Sequence, residues 1–114
     1  MSRFEFLVLT SPVEGREADF NQWYDTLHLP DVLDVPGFVS ARRFRIMESR
    51  CAPTDLPRWR YAAIYQMEHD DPQAVLADMR ARIGTPQMLI SDTLDLSTVA
   101  TYLLEPHPAH PNPA

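Results

Sequence analysis

The chain has 114 residues, enough for one modest hydrophobic core and too few for two. Its net charge of −6 argues against nucleic acid or an anionic membrane surface as partner, and no apolar run approaches the roughly 20 residues of a membrane span. The N-terminus carries no basic segment ahead of a long apolar one, so the expected compartment is the cytoplasm.

Phe4 to Thr10 is rich in strand formers and opens the fold as a first strand. Ser11 to Gly15 is a turn cluster. From Arg16 to Leu27 the apolar residues Phe20, Trp23, Tyr24 and Leu27 fall on one helix face, at i, i+3, i+4 and i+7. Pro30 disfavours a helical Leu29, which predicts a helix end near His28 and at most one further turn up to Asp34. Pro36 and Gly37 break the chain, and Phe38 to Met47 reads as a second strand. Glu48 to Pro57 is a polar loop that contains the lone cysteine, Cys51, with no metal-ligand spacing around it. Arg58 to Glu68 reads as a third strand. Asp70, Asp71 and Pro72 signal a helix start, Val75, Leu76, Met79 and Ile83 its buried stripe, and Gly84 its end. Leu94 to Leu104 is the expected last strand. Residues 1–105 are thus expected to form a single domain, and 106–114 a loose tail rich in proline and histidine.

The order β-α-β-β-α-β predicts an α+β, ferredoxin-like fold with a four-stranded antiparallel sheet. Two helices cover only one face of such a sheet. Yet the first, third and fourth strands are apolar on both faces: Phe4, Phe6 and Val8 stand against Leu7 and Leu9, Tyr61, Ala63, Tyr65 and Met67 against Ala62 and Ile64, and Ala100, Tyr102 and Leu104 against Val99 and Leu103. A second copy of the same sheet, in a two-fold homodimer, is the simplest cover.

The pattern Glu17-x-x-Phe20-x-x-Trp23-Tyr24-Asp25-x-x-His28-Leu29-Pro30-Asp31, followed by Val35-Pro36-Gly37-Phe38 and Arg42-Arg43-Phe44, resembles the EthD-like proteins of the dimeric α/β barrel superfamily. The resemblance covers most of the chain and is strongest over residues 17–44. It implies a homodimer whose sheets face each other and a pocket in each subunit between sheet and helices. Members of the wider superfamily work without cofactors on small aromatic or polyketide-like molecules, by isomerisation, cyclisation, dehydration or oxygenation, and one branch degrades haem.

His28 is the leading candidate for chemistry. It follows Tyr24 by four residues and Asp25 by three, so the three can share a helix face, and Asp31 is near enough to orient an imidazole. A histidine held by a carboxylate suits proton transfer near neutral pH. The competing reading makes His28 a helix C-terminal cap, with Asp31 fixing the turn. Tyr24 is the candidate hydrogen-bond donor to a substrate oxygen, and Asp25 a second carboxylate. Trp23, Tyr61 and Tyr65 are candidate substrate-binding aromatics, with core packing the rival role, Trp23 most of all. Arg43 belongs to a group with Arg42, Arg45, Arg58 and Arg60 that either clamps a carboxylate or balances the acidic residues. His107 and His110 make a weak metal pair, and no metal or cofactor is expected.

Together these residues predict a small cofactor-independent enzyme of lyase, dehydratase, isomerase or cyclase type. His28 would transfer a proton on a small apolar, aromatic or enolisable substrate. The alternatives are a haem-degrading or cofactor-free monooxygenase, and a non-catalytic dimer that binds a small molecule. Neither nucleic acid nor membrane is expected as partner.

Overall fold

A computed structural model describes residues 2–52 and 58–107. Positions 53–57 of the expected loop, and 108–114 of the expected tail with His110, lie outside the described residues. The elements follow as β1 (Arg3–Thr10), α1 (Glu17–Trp23), a π-helical turn (Tyr24–His28), α2 (Leu29–Leu33), β2 (Phe38–Arg45), β3 (Tyr61–Glu68), α3 (Pro72–Arg82), a 3-10 turn (Leu96–Thr98) and β4 (Ala100–Leu104). The four strands pair antiparallel in the order β2-β3-β1-β4. This is the α+β, ferredoxin-like topology that the sequence pattern predicts.

Strand alternation sorts the side chains. Phe6 lies opposite Tyr65 and Leu103, and its neighbour Leu7 opposite Ile64 and Tyr102. On the Phe6 face, Phe6, Ala63, Tyr65 and Met67 are buried together with Phe20, Tyr24, Val32 and Val75 of the helices. On the Leu7 face no helix among the described residues lies over the sheet, and Phe44, Tyr102 and Leu104 remain 39%, 52% and 40% exposed. The expected apolar second face is therefore present.

α3 starts as predicted. The Asp71 side chain accepts a hydrogen bond from the Ala74 amide at 3.2 Å, and Pro72 occupies the first helical position, where its missing N–H costs nothing. Val75 and Leu76 are buried, whereas Ile83 sits at the helix end and is largely exposed. Gly37 holds φ at +108°, and a Cβ there would stand 2.5 Å from Val75 Cγ2. A residue without a side chain is what lets α3 approach the start of β2 this closely.

Three expectations need correction. The first helix does not stop at His28. It runs on through Pro30 because the chain inserts a π turn just before it: the Leu29 amide reaches back five residues to the Tyr24 carbonyl. That shifts the hydrogen-bond ladder ahead of Pro30, which has no N–H to give and whose ring would crowd the Thr26 carbonyl in a regular α-helix. The last strand begins at Ala100 rather than Leu94. Asp95 accepts from the Ser97 amide at 3.1 Å and from its hydroxyl at 2.6 Å, and this local capping turns Leu96–Thr98 out of the sheet. β2 and β3 are each shorter than predicted, ending at Arg45 and starting at Tyr61. The pairing frays beyond them through an Ile46 amide to Arg60 carbonyl bond of 2.8 Å.

Candidate functional site

The helix spanning α1, the π turn and α2 lies against the sheet and places Tyr24, His28 and Val32 toward it. Those three residues, with Phe6, Thr10 and Tyr65, wall a cavity of about 160 Å³ between sheet and helices. Met79 of α3, Ile83 just past its end, residues of the segment from Met88 to Val99, and Thr101 of β4 complete it. Among the described residues, no Asp, Glu, Arg or Lys side chain lines this cavity. A second hollow of about 220 Å³, near Arg3, Glu5, Gln66 and Glu68, lies over exposed charged strand residues and contains none of the candidate residues.

The His28 ring stacks on Trp23, with centroids 4.7 Å apart and planes 24° apart, and meets the Tyr24 ring edge-on at 4.9 Å. Its Nδ1 is buried and has no hydrogen-bond partner among the described residues. Burial, helped by the positive charge of Arg43, pushes the imidazole pKa down to about 4. His28 is therefore neutral at neutral pH.

Tyr24 and Tyr65 share a hydrogen bond of 3.2 Å between their hydroxyls. Burial raises the pKa of both, most for Tyr65, so both stay protonated. A pair of phenols needs only one of its two protons for the mutual bond, which leaves the other O–H to donate elsewhere.

Arg43 stands on the far side of Tyr24. Its guanidinium lies 4.2 Å from the centre of the Tyr24 ring and 5.1 Å from that of Tyr61. Nη1 donates to Asp25 at 2.8 Å and Nη2 to the Asn21 side-chain oxygen at 2.9 Å. Tyr61 donates to Glu17 and accepts from Asn21 at 3.0 Å.

The candidates thus divide. His28, Tyr24 and Tyr65 meet at the cavity. Arg43, Asp25 and Tyr61 are brought together, but in a polar cluster outside the cavity wall. Trp23 is core, donates its indole N–H to the Leu89 carbonyl at 3.3 Å, and supports the His28 ring from behind. No hydrogen bond or ion pair joins Asp31 to His28 among the described residues, so the expected carboxylate-held imidazole is not formed. The His28 ring instead stacks on Trp23 and lines the cavity, to which Asp31 does not contribute. Asp31 has its pKa raised by its desolvation and then by Asp34, not by any histidine.

Thr10 was not among the sequence candidates. It is 2% exposed, lines the cavity, and its Oγ1 has no hydrogen-bond partner among the described residues. The available signal was a hydroxyl on a strand face otherwise made of Phe4, Phe6 and Val8.

No family model matches the chain, and no curated protein matches it in sequence. Solved structures do match its fold. An EthD family protein from Bacillus halodurans aligns with a TM-score of 0.62 at 18% identity, over 92% of this chain and 99% of the other. A point mutant of MhuD with two manganese protoporphyrin IX molecules per active site aligns at 0.58 and 14%, over 90% and 92%. A dimeric ferredoxin-like protein of unknown function from Jannaschia aligns at 0.55 and 15%, over 90% and 98%. The likeness to EthD-like proteins therefore holds at the level of the fold. No helix among the described residues is long and apolar enough to cross a membrane.

Proposed function

We propose that the chain is a cofactor-independent enzyme in which neutral His28 removes a proton from a small, uncharged, aromatic or enolisable molecule held in the cavity. The observation that carries this reading is the buried, unpartnered Nδ1 of a histidine kept neutral on the wall of an otherwise apolar cavity. An imidazole of such low proton affinity is a weak base toward a neutral neighbour. When deprotonation builds an enolate or phenolate beside it, the opposite charge raises its affinity for the proton, and the ion pair forms where little water competes. The spare hydroxyl proton of the Tyr24–Tyr65 pair supplies a donor for the developing oxyanion. The carbanion so formed can isomerise, eliminate or react with oxygen, which covers the lyase, isomerase and cofactor-free oxygenase readings with one first step.

A haem role fits less well. Cavities for drug-sized ligands span about 300–1,000 Å³, and a porphyrin is at least of that ligand class. A cavity of about 160 Å³ suits a single ring. A haemin titration that leaves the Soret band unchanged is the expected result.

The uncovered apolar sheet face supports a homodimer, as does the dimeric ferredoxin-like protein that shares the fold. Sedimentation should give about twice the chain mass, and Tyr102→Asp should bring it down to the monomer.

Proton abstraction is measurable before the natural substrate is known. In D2O, the wild type should accelerate exchange of the α-protons of cyclohexanone or phenylacetone followed by NMR. His28→Ala should lose about 100-fold to 10,000-fold of that acceleration, the usual share of a positioned acid or base. Equal exchange by the two proteins, both folded, would refute the mechanism.

A further inference from the structure

Besides the exposed Thr101, the cavity is lined by polar residues at two places, and only one of them belongs to the proton-transfer apparatus. Tyr24, Tyr65 and His28 form the first. Thr10 is the second. Phe6, which lies opposite Tyr65, and Thr10 share one face of β1, four residues apart. The neighbouring hydrogen-bonding groups are in use. The Thr10 carbonyl accepts from the Arg60 amide at 3.2 Å. The Ser11 hydroxyl accepts from that same amide at 3.2 Å and donates to the Arg58 carbonyl at 3.5 Å. The Thr10 hydroxyl is buried and has no hydrogen-bond partner among the described residues, and the residue lines the cavity together with Val8, Leu94, Val99 and Thr101. A buried hydroxyl with no partner is rare, because its desolvation is not repaid.

We propose that Thr10 is a second anchor for the ligand, forming a hydrogen bond with a neutral oxygen at the end of the molecule away from His28. The ligand class is then narrower than a small apolar molecule. It is an uncharged, bifunctional compound of about one ring, with one oxygen for the tyrosine pair and His28 and a second hydroxyl or carbonyl for Thr10. The absence of charged groups from the cavity wall disfavours carboxylates and amines. A dry cavity of about 150 Å³ is known to take up benzene, which matches the size found here, about 160 Å³. The proposal rests on reading the cavity as a ligand site.

Toluene, phenol, hydroquinone and 4-hydroxyacetophenone serve as probes, titrated while the methionine methyl signals of Met79 and Met88 are followed by NMR. Wild type should bind the better of the two bifunctional probes about 10-fold more tightly than phenol, the worth of one good hydrogen bond to a buried hydroxyl. Thr10→Val, equal in shape, should erase that preference and leave toluene binding unchanged. Thr10→Ser should keep the preference, and Thr10→Ala replaces the valine variant should that one fail to fold. If Thr10→Val keeps the preference, or if wild type never shows it while still binding toluene, the Thr10 anchor is wrong and the cavity remains a ligand site. If no probe shifts either methionine, both readings fall.

Discussion

Two polar regions share the Tyr24 side chain and are built in opposite ways. On the cavity side, His28, Thr10 and the Tyr24–Tyr65 pair carry no charge and have unused hydrogen-bonding capacity. On the other side, Arg43, Asp25, Asn21, Glu17 and Tyr61 are charged or paired, and Arg43 spends both of its terminal nitrogens on protein acceptors, with only its buried Nε left without a partner among the described residues. The second region acts on the first only through space. The Arg43 guanidinium over the Tyr24 ring helps to keep His28 neutral without entering the cavity. A site can thus be given a positive field and still present an uncharged wall to its ligand.

The contrast can be broken at several points. The largest effect on stability should come from pH. His28 is depressed to about 4 in the folded protein from an ordinary value near 6.5 when unfolded. The unfolded chain therefore binds the extra proton between these values, and stability falls as pH drops from 6.5 through 4 and is fully present above 6.5. The shift of about 2.5 pKa units corresponds to roughly 3 kcal/mol. Urea denaturation at pH 7 and pH 4 should show it, and His28→Gln should flatten that part of the profile.

Arg43→Met should cost about 2 kcal/mol, because it removes two charge-assisted hydrogen bonds and a stacked cation from a side chain only 12% exposed. It should also raise the His28 pKa, visible in the imidazole proton shifts. Tyr65→Phe strands the Tyr24 hydroxyl and should cost about 1–2 kcal/mol. Proton exchange should also slow, since the spare donor is lost. Asp31→Asn should be the mildest, within about 0.5 kcal/mol, with no change in the His28 titration. A large shift of that titration would restore the carboxylate–imidazole pair, which is not formed among the described residues.

What could be seen from sequence alone followed one rule. Features set by neighbours along the chain were legible. The Phe20, Trp23 and Tyr24 stripe, the Asp71 and Pro72 helix start, and the two-faced strands around Leu7 and Ile64 all appear where the periodicities put them. Features set by competition were not. Pro30 reads as a stop, yet a π turn absorbs it. Leu94 to Val99 reads as strand, yet the Asp95 side chain offers the backbone a tighter alternative. Pairings through space were the least legible: Asp25 lies three residues from His28 and reaches Arg43, eighteen positions away, instead. Thr10 was overlooked because a hydroxyl on an apolar strand face is noticeable only when the partner it lacks can be checked.

The π turn at Tyr24–His28 has a consequence for how this protein tolerates changes in length. Such a turn is a regular helix with one residue too many. Deleting Thr26 would take out that surplus: the Leu29 amide would keep the Tyr24 carbonyl as its partner, now four places back, and the helix beyond it would hold its facing. The cost would fall on Pro30, whose ring would then meet a regular α-helical carbonyl. The turn thus marks a place in this helix where the loss of a single codon leaves the side chains of α1 and α2 facing as they do.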